Sequence, residues 1–500
     1  MVSPLSNKPA SGERQIVWLA ALALGAVLLG SMRTMEAKWM IAIVGTLLFW
    51  GIAILTGRVE RFLLGFLFFC IPLNADFQIF KEVTVWHGIN LPTGTPQMGI
   101  SVIDLTLMAL YPLWIGRLLA GRRRAVLWPG GASFAVGLIA WGALSMLNSP
   151  SLQLSFFLLF NYAKAFLLFF YVANNVRTRE DFLLAARCLV AGMAVEGLIA
   201  CAQQFAGGNL GLEALGERKV EKELEILADV RFRTGGTLGH PNALGGYLAS
   251  VLPVALAMYL APEGRDKGSF RTLIALGIGA LALIFSLSRS AWLTAGLACI
   301  ALLVWTAAQE KRRFRWQPVL GLLLLGGIAA IPFAPLISAR WEEDDRGSTY
   351  SRIPQTQIAM EMIRNHPVIG VGLNNQGVTF HRYETYVVDP RTRGRVFEQK
   401  GRFHNMFLQM ASEIGLVGFA WFAVFMASVV RLGWRRSRRC PDLQVRWVLM
   451  GVLFGLLARV LHDTVHTGEV AVTPQLWMYS GLLAASVWML RAFPRIPGSQ

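Results

Sequence analysis

Residues 152–172 read LQLSFFLLFNYAKAFLLFFYV, with Lys164 as the only charge. About 20 mostly apolar residues suffice for a helix to cross the hydrocarbon core of a bilayer. The run is continuous rather than alternating, so it is a helix and not a strand of a membrane barrel. A helix also satisfies its own backbone groups where no water can. About fourteen stretches of this kind occur, near 15–32, 38–56, 59–76, 100–119, 131–148, 152–172, 182–205, 242–261, 271–288, 290–307, 317–334, 405–431, 445–462 and 474–491. The expected fold is an all-α polytopic membrane protein with about 12–14 transmembrane helices.

Composition agrees with this. The chain has 500 residues, 54% hydrophobic and 15% charged, with mean hydropathy +0.49. A soluble domain carries about 25% charged residues, so a soluble enzyme, a disordered chain and a collagen-like fibre are excluded. Lys and Arg number 47 against 30 Asp and Glu, a net charge of +17. In a soluble protein that excess would suggest nucleic acid. In a membrane protein it points instead to loops that set topology and to an anionic lipid-linked substrate. No nucleic-acid partner is expected. Five cysteines, at 70, 188, 201, 299 and 440, form no CxxC pair and read as small buried hydrophobes. The first apolar run lacks a small-residue cleavage site and reads as a retained span.

Basic clusters fix the orientation. Arg58 and Arg61, Arg117 with Arg122–Arg124, Arg177 and Arg179, Arg265 to Arg271, Lys311 to Arg315, and Arg435 to Arg439 fall in alternating connections. That set is cytoplasmic, which places both termini inside. Three outer segments are too long to be plain connectors: 77–99, 206–241 and 335–404. The expected organisation is an N-terminal bundle of about eleven spans over 1–334, a long partly helical outer loop over 335–404, and C-terminal helices over 405–500.

Four clusters on that outer face could carry chemistry. In Arg402-Phe-His404-Asn405, an imidazole stands where the long loop meets the next span. It is either a plain interfacial histidine or a proton acceptor poised near neutral pH. Gly415 and Gly418 follow at i, i+3, a spacing that lets another helix approach. Residues 350–364 read as an amphipathic helix carrying Arg352, flanked by Arg346 and by a turn at Pro367, Gly370 and Gly372. Arg352 is a solvated face residue or a ligand-binding one. The loop from Arg231 through Arg233 and Gly235-Gly-Thr-Leu-Gly-His240-Pro-Asn242 exposes backbone N–H groups but lacks a nucleotide P-loop signature. Ser286-Leu-Ser-Arg289-Ser290 is a short turn whose arginine is costly beside hydrocarbon unless it snorkels, pairs or works. The run Glu342–Asp345 could hold a divalent cation but reads more simply as a solvated face. His462, Asp463, His466 and Glu469 form another outer patch without standard metal-ligand spacing. Topology brings Arg233, Arg289, Arg352 and His404 to one face, and guanidiniums with one histidine suit a phosphate-bearing lipid.

His404-Asn405, nine residues and then Gly415-x-x-Gly418 resemble the signature of bacterial O-antigen ligases. The stretches 235–242, 286–290 and 366–372 resemble the wider O-antigen ligase and polymerase superfamily, most strongly over roughly 230–425. The resemblance implies an inverting glycosyltransfer at the periplasmic face of the inner membrane, without metal or cofactor. The implied donor is a glycan on undecaprenyl diphosphate, and the implied acceptor is a sugar hydroxyl of the lipid A core. Carried over, His404 is the catalytic histidine, Arg352 the loop arginine, and Arg289 the second essential arginine, with Arg233 competing for that place. Asn405, Arg402, Arg346, His240 and Asn242 join Arg233 as substrate-binding candidates. A polymerase or protein O-oligosaccharyltransferase shares these features. A lipid-linked sugar transporter would want ionisable residues at mid-membrane, and a structural subunit of the envelope would need no base at His404.

Overall fold

The computed structural model describes residues 58–492, except 74, 80–82, 88, 92–94, 122–125, 219–232, 262–266, 310–315, 318, 322–323, 325–330, 343–347, 384–385, 389–394, 398–402 and 467–472. The expected spans at 15–32 and 38–56, half of 317–334, and the candidates Arg231, Arg346, Arg402 and Glu469 lie outside the described residues. Glu343, Asp344 and Asp345 of the acidic run lie outside them too.

Helices dominate the described residues: α1 (Val59–Phe69), α2 (Val102–Leu119), α3 (Ala132–Ser145), α4 (Leu152–Asn175), α5 (Arg179–Ala206), α6 (Pro241–Leu260), α7 (Lys267–Phe285), α8 (Arg289–Gln309), α9 (Ala334–Glu342), α10 (Ser348–Asn365), α11 (Gln376–Thr379), α12 (Met406–Arg439), α13 (Leu443–Asp463) and α14 (Pro474–Ala492). Seven of them, α2, α4, α5, α6, α8, α12 and α13, are long and apolar enough to cross a membrane. This is an all-α polytopic membrane protein. Large apolar side chains such as Met108, Phe156, Leu297 and Val304 face outward, as a lipid-facing surface requires. Small antiparallel ladders depart from the helical expectation: β1 (Asp76–Gln78) with β4 (Gly99–Ser101), β2 (Val85–Trp86) with β3 (Ile89–Asn90), and β5 (Tyr386–Val388) with β6 (Arg395–Phe397). They lie in or at the edges of the long segments 77–99 and 335–404, where backbone groups lack a helical partner.

Helix starts follow the capping residues. Ser101 and Asp104 close a capping box on α2, and Thr178 and Asp181 close another on α5. Ser151 caps α4, and Asp442 caps α13. One close helix pair is α6 against α13, where Gly451 and Gly455 of α13 meet backbone atoms of Pro253, Val254 and Ser250. Small residues permit that approach.

The segment that positions the candidate site departs from the sequence reading. Gly415 is not on a regular helix face; its φ of 70° and ψ of 176° break α12. A Cβ there would meet the Val368 carbonyl oxygen. The turn at 367–372 docks into the break, so the close neighbour of Gly415 is a loop and not another helix. Leu416 N–H donates to the Pro367 carbonyl at 2.8 Å, Val371 N–H to Ser412 at 2.9 Å, and Gly372 N–H to Glu413 at 3.0 Å. Trp141 on α3 donates its Nε1–H to the Ile414 carbonyl at 2.9 Å. The next residues are tied to α4, with Ser155 Oγ donating to the Leu373 carbonyl and Asn375 Oδ1 accepting from Ser151 N–H. The buried Glu413 carboxylate accepts from Asn374 N–H and from Gln409 Nε2.

Candidate active site

His404 is held from both sides. Before it, Phe403 is 1% exposed and packs with Ile358, Ala359, Met362, Val371 and Phe380. After it, the Asn405 carboxamide oxygen caps α12, accepting from Phe407 N–H at 2.9 Å and Leu408 N–H at 3.1 Å. The His404 backbone N–H donates to Gln355 Oε1 at 3.2 Å. Gln355 is one turn along α10 from Arg352, and residues three apart share a helix face. A cleft of about 130 Å³ follows, lined by Arg352, Gln355, Thr356, His404, Asn405 and Leu408 among others. On α10 the buried apolar face is Ile358, Met362 and Ile363, while Ile353 is 44% exposed and lies off it.

Partial burial, and then the Arg352 guanidinium, push the His404 imidazole below its ordinary value of 6.5. Its neutral, proton-accepting form therefore prevails at neutral pH.

The loop at 233–242 contributes no residue to the lining of that cleft and is built separately. Arg233 bridges to the turn that launches α8: its Nε and Nη2 donate to the Ser286 carbonyl at 3.2 and 3.1 Å, and Nη2 also reaches the Leu287 carbonyl. Nη2 donates to Asn242 Oδ1 at 3.1 Å as well. Leu287 holds a positive φ of 50°, a conformation that needs support from outside the turn. Arg233 supplies that support, and Arg289 begins α8 two residues later. Beneath the loop, Glu196 of α5 accepts from Thr237 N–H at 2.8 Å and from Thr237 Oγ1 at 2.7 Å. Gln203, two turns on, exchanges hydrogen bonds with Gly236. Two buried polar side chains of a membrane helix thus fix the loop. His240 caps α6, its Nδ1 accepting from Asn242 N–H at 3.1 Å. Although its edge is open to solvent, partial enclosure and the nearby Arg233 and Arg218 lower its pKa, and His404 is close enough to contribute.

His404, Arg352 and Asn405 thus share one cleft, with His240 in electrostatic reach. Arg233 and Asn242 bond each other, and Arg289 shares their turn. Gln355 was missed from sequence, although its i+3 spacing from Arg352 marks the same face. Thr464 and Val465, also in the cleft lining, follow α13 and carry no sequence signal of their own. Among the described residues no cluster of His, Cys, Asp and Glu is arranged to hold a metal ion.

Residues 274–423 match the family model described as O-Antigen ligase. The matched segment contains Arg289, Arg352, His404 and Asn405, and it supports the O-antigen ligase and polymerase superfamily. A search of curated proteins finds no match.

Proposed function

From an O-antigen ligase match that spans residues 274–423, we propose that this chain is an inverting glycosyltransferase of the ligase type. It moves a glycan from undecaprenyl diphosphate to a sugar hydroxyl of the lipid A core. The reaction takes place at the periplasmic face of the inner membrane, with both termini cytoplasmic. The observation that carries the reading is the pairing of His404 with Arg352 in one cleft, the imidazole held neutral beside a cation.

Each group has a task in that reaction. The anomeric carbon already bears a diphosphate leaving group. Arg352 and Arg289 clamp it and offset the charge that grows as the C–O bond breaks; one preorganised donor of this kind is worth on the order of 10²–10³ in rate. Arg233 acts through Arg289, because its Nε and Nη2 are engaged with the turn. His404 removes the acceptor proton, a contribution of about 10²–10⁴. The apolar outer faces of the helices give the prenyl chain a lipid-side path. Neither metal nor cofactor enters the scheme.

The test offers purified protein an undecaprenyl-diphosphate glycan with lipid A core as acceptor, and in a second arm the donor alone. Core modification supports the ligase reading. Chain elongation in the second arm, without core modification, would make the protein a polymerase. No transfer in either arm, with donor binding intact, would favour a transporter.

A further inference from the structure

Of the seven histidines in the chain, His404 lines the cleft, and His240, His462 and His466 cluster with one another. His240 stacks on His466 with ring centroids 5.4 Å apart, and His466 meets His462 edge-on at 5.5 Å. His404 is in electrostatic reach of both His240 and His466. The inner end is closed by charge. Arg459 Nε donates to Asp463 Oδ2 at 2.9 Å, and His462 Nδ1 lies 3.5 Å from Asp463 Oδ1. His462 and Asp463 are fully buried, and Arg459 nearly so.

Two features make packing alone a poor explanation. Well-packed apolar residues would serve a structural role at least as well as desolvated charges. In addition, His462 Nε2 and His466 Nδ1 are buried without a hydrogen-bond partner among the described residues, and His462 Nδ1 and Asp463 Oδ1 have only their mutual 3.5 Å contact. That is an unusual concentration of unspent donor and acceptor capacity, since buried polar groups are normally satisfied. Gly246 of α6 closes over it; a Cβ there would meet His462 Nδ1 at 2.7 Å and Arg459 Nη1 at 3.0 Å. Thr464 and Val465, between His462 and His466, line the His404 cleft.

We propose that His466 and His462, backed by Asp463, form a relay that takes up the proton His404 removes from the acceptor hydroxyl and returns it to solvent past the open edge of His240. The proposal rests on the reading of His404 as the base. In the step, the acceptor O–H bond breaks as its oxygen bonds the anomeric carbon. The bond from that carbon to the diphosphate oxygen breaks, and its electron pair leaves on the phosphate. The proton goes to His404 and then, through a bridging water, to the His466 or His462 imidazole, which restores a neutral base; the rings meet face-on or edge-on and none of their nitrogens hydrogen-bonds another among the described residues. Asp463 beside His462 Nδ1 favours the tautomer protonated there and leaves Nε2 to accept. The charges facing the relay are Arg233 and Arg218 at His240, Arg352 at His404, and Arg459 and Asp463 at His462. In this arrangement His462 and His466 are positioning residues, since they act through His404.

The test uses the full chain in detergent, with undecaprenyl-diphosphate glycan and core acceptor under single-turnover conditions. His466→Asn and His462→Asn should slow transfer roughly 10- to 100-fold, the usual cost of losing a group that acts through a first-contact residue. Donor binding should not change. Added imidazole should restore rate in both variants, and their rates should rise with buffer concentration where wild type does not respond. Wild-type rates with no buffer dependence would overturn the relay. If the variants fail to fold, transfer by wild type in H₂O/D₂O mixtures decides: a curved dependence on deuterium fraction supports several protons in flight, and a linear one refutes it. His404→Ala separates the two ideas. An active His404→Ala defeats the base reading itself, whereas an inactive one beside a normal His466→Asn defeats the relay alone.

Discussion

Gly415→Ala should unseat the active site from a distance. The position holds φ 70° and ψ 176°, a region that is almost exclusively glycine's and costs other residues about 1–3 kcal/mol. The added Cβ would also run into the Val368 carbonyl oxygen, so the turn must withdraw. Withdrawal would release the bonds from Leu416 N–H to Pro367, Val371 N–H to Ser412 and Gly372 N–H to Glu413, each worth about 1 kcal/mol. The combined penalty reaches about 5 kcal/mol if all three are lost. The first turns of α12, which begin directly after His404 and Asn405, would lose their brace. The control is Gly296→Ala on α8, where a Cβ meets nothing within 4 Å. Alanine is the better helix former by about 1 kcal/mol, so that variant should match or slightly exceed wild type. Thermal inactivation in detergent, followed by residual transfer activity, compares them. If Gly415→Ala withstands heat as well as Gly296→Ala does and transfers normally, the break in α12 is not required and the account of the docked turn is wrong.

Other outcomes follow from the same geometry. Arg352→Lys keeps the charge but loses the planar fork, and transfer should fall by roughly 10²-fold with expression unchanged; wild-type rates would count against bidentate phosphate recognition. The pH profile carries a sign. The base works when neutral, and burial and Arg352 hold its pKa below 6.5, so the acidic limb of the rate profile should lie below that value in wild type. Arg352→Gln removes one of the two depressing causes and should move the limb upward; a downward move would contradict the assignment. Glu196→Ala strands the buried Thr237 N–H, at about 1–3 kcal/mol, while the Thr237 hydroxyl keeps the Pro72 carbonyl as acceptor. Reduced thermal stability should accompany impaired transfer, while Glu196→Gln, which keeps one acceptor, should recover part of both.

The spans were legible because lipid imposes one rule on every segment, and α2, α4, α5, α6 and α13 stand within a few residues of their apolar runs. Asn405 also announces its capping role, standing directly before an apolar run. The spacing of Gly415 and Gly418 was not enough. Periodicity describes a regular helix and carries no information about a loop that docks into an irregular one. Pro367, Gly370 and Gly372 do mark a turn, but where that turn lands depends on α3 and α4, distant in sequence. Arg233 shows the same limit. Its position in the chain marks only a cation beside a glycine-rich loop, whereas its bonds to Ser286 and Leu287 go to a turn more than fifty residues away. The clustering of His240, His404, His462 and His466 likewise depends on α6 packing against α13.

The central claim is that the His404–Arg352 cleft transfers a glycan from a lipid diphosphate with His404 as base. It is tested most directly by single-turnover transfer from undecaprenyl-diphosphate glycan to lipid A core, comparing wild type with His404→Ala at equal donor occupancy. The variant should bind donor as wild type does and form no detectable product. Product formation at a rate near that of wild type would contradict the claim.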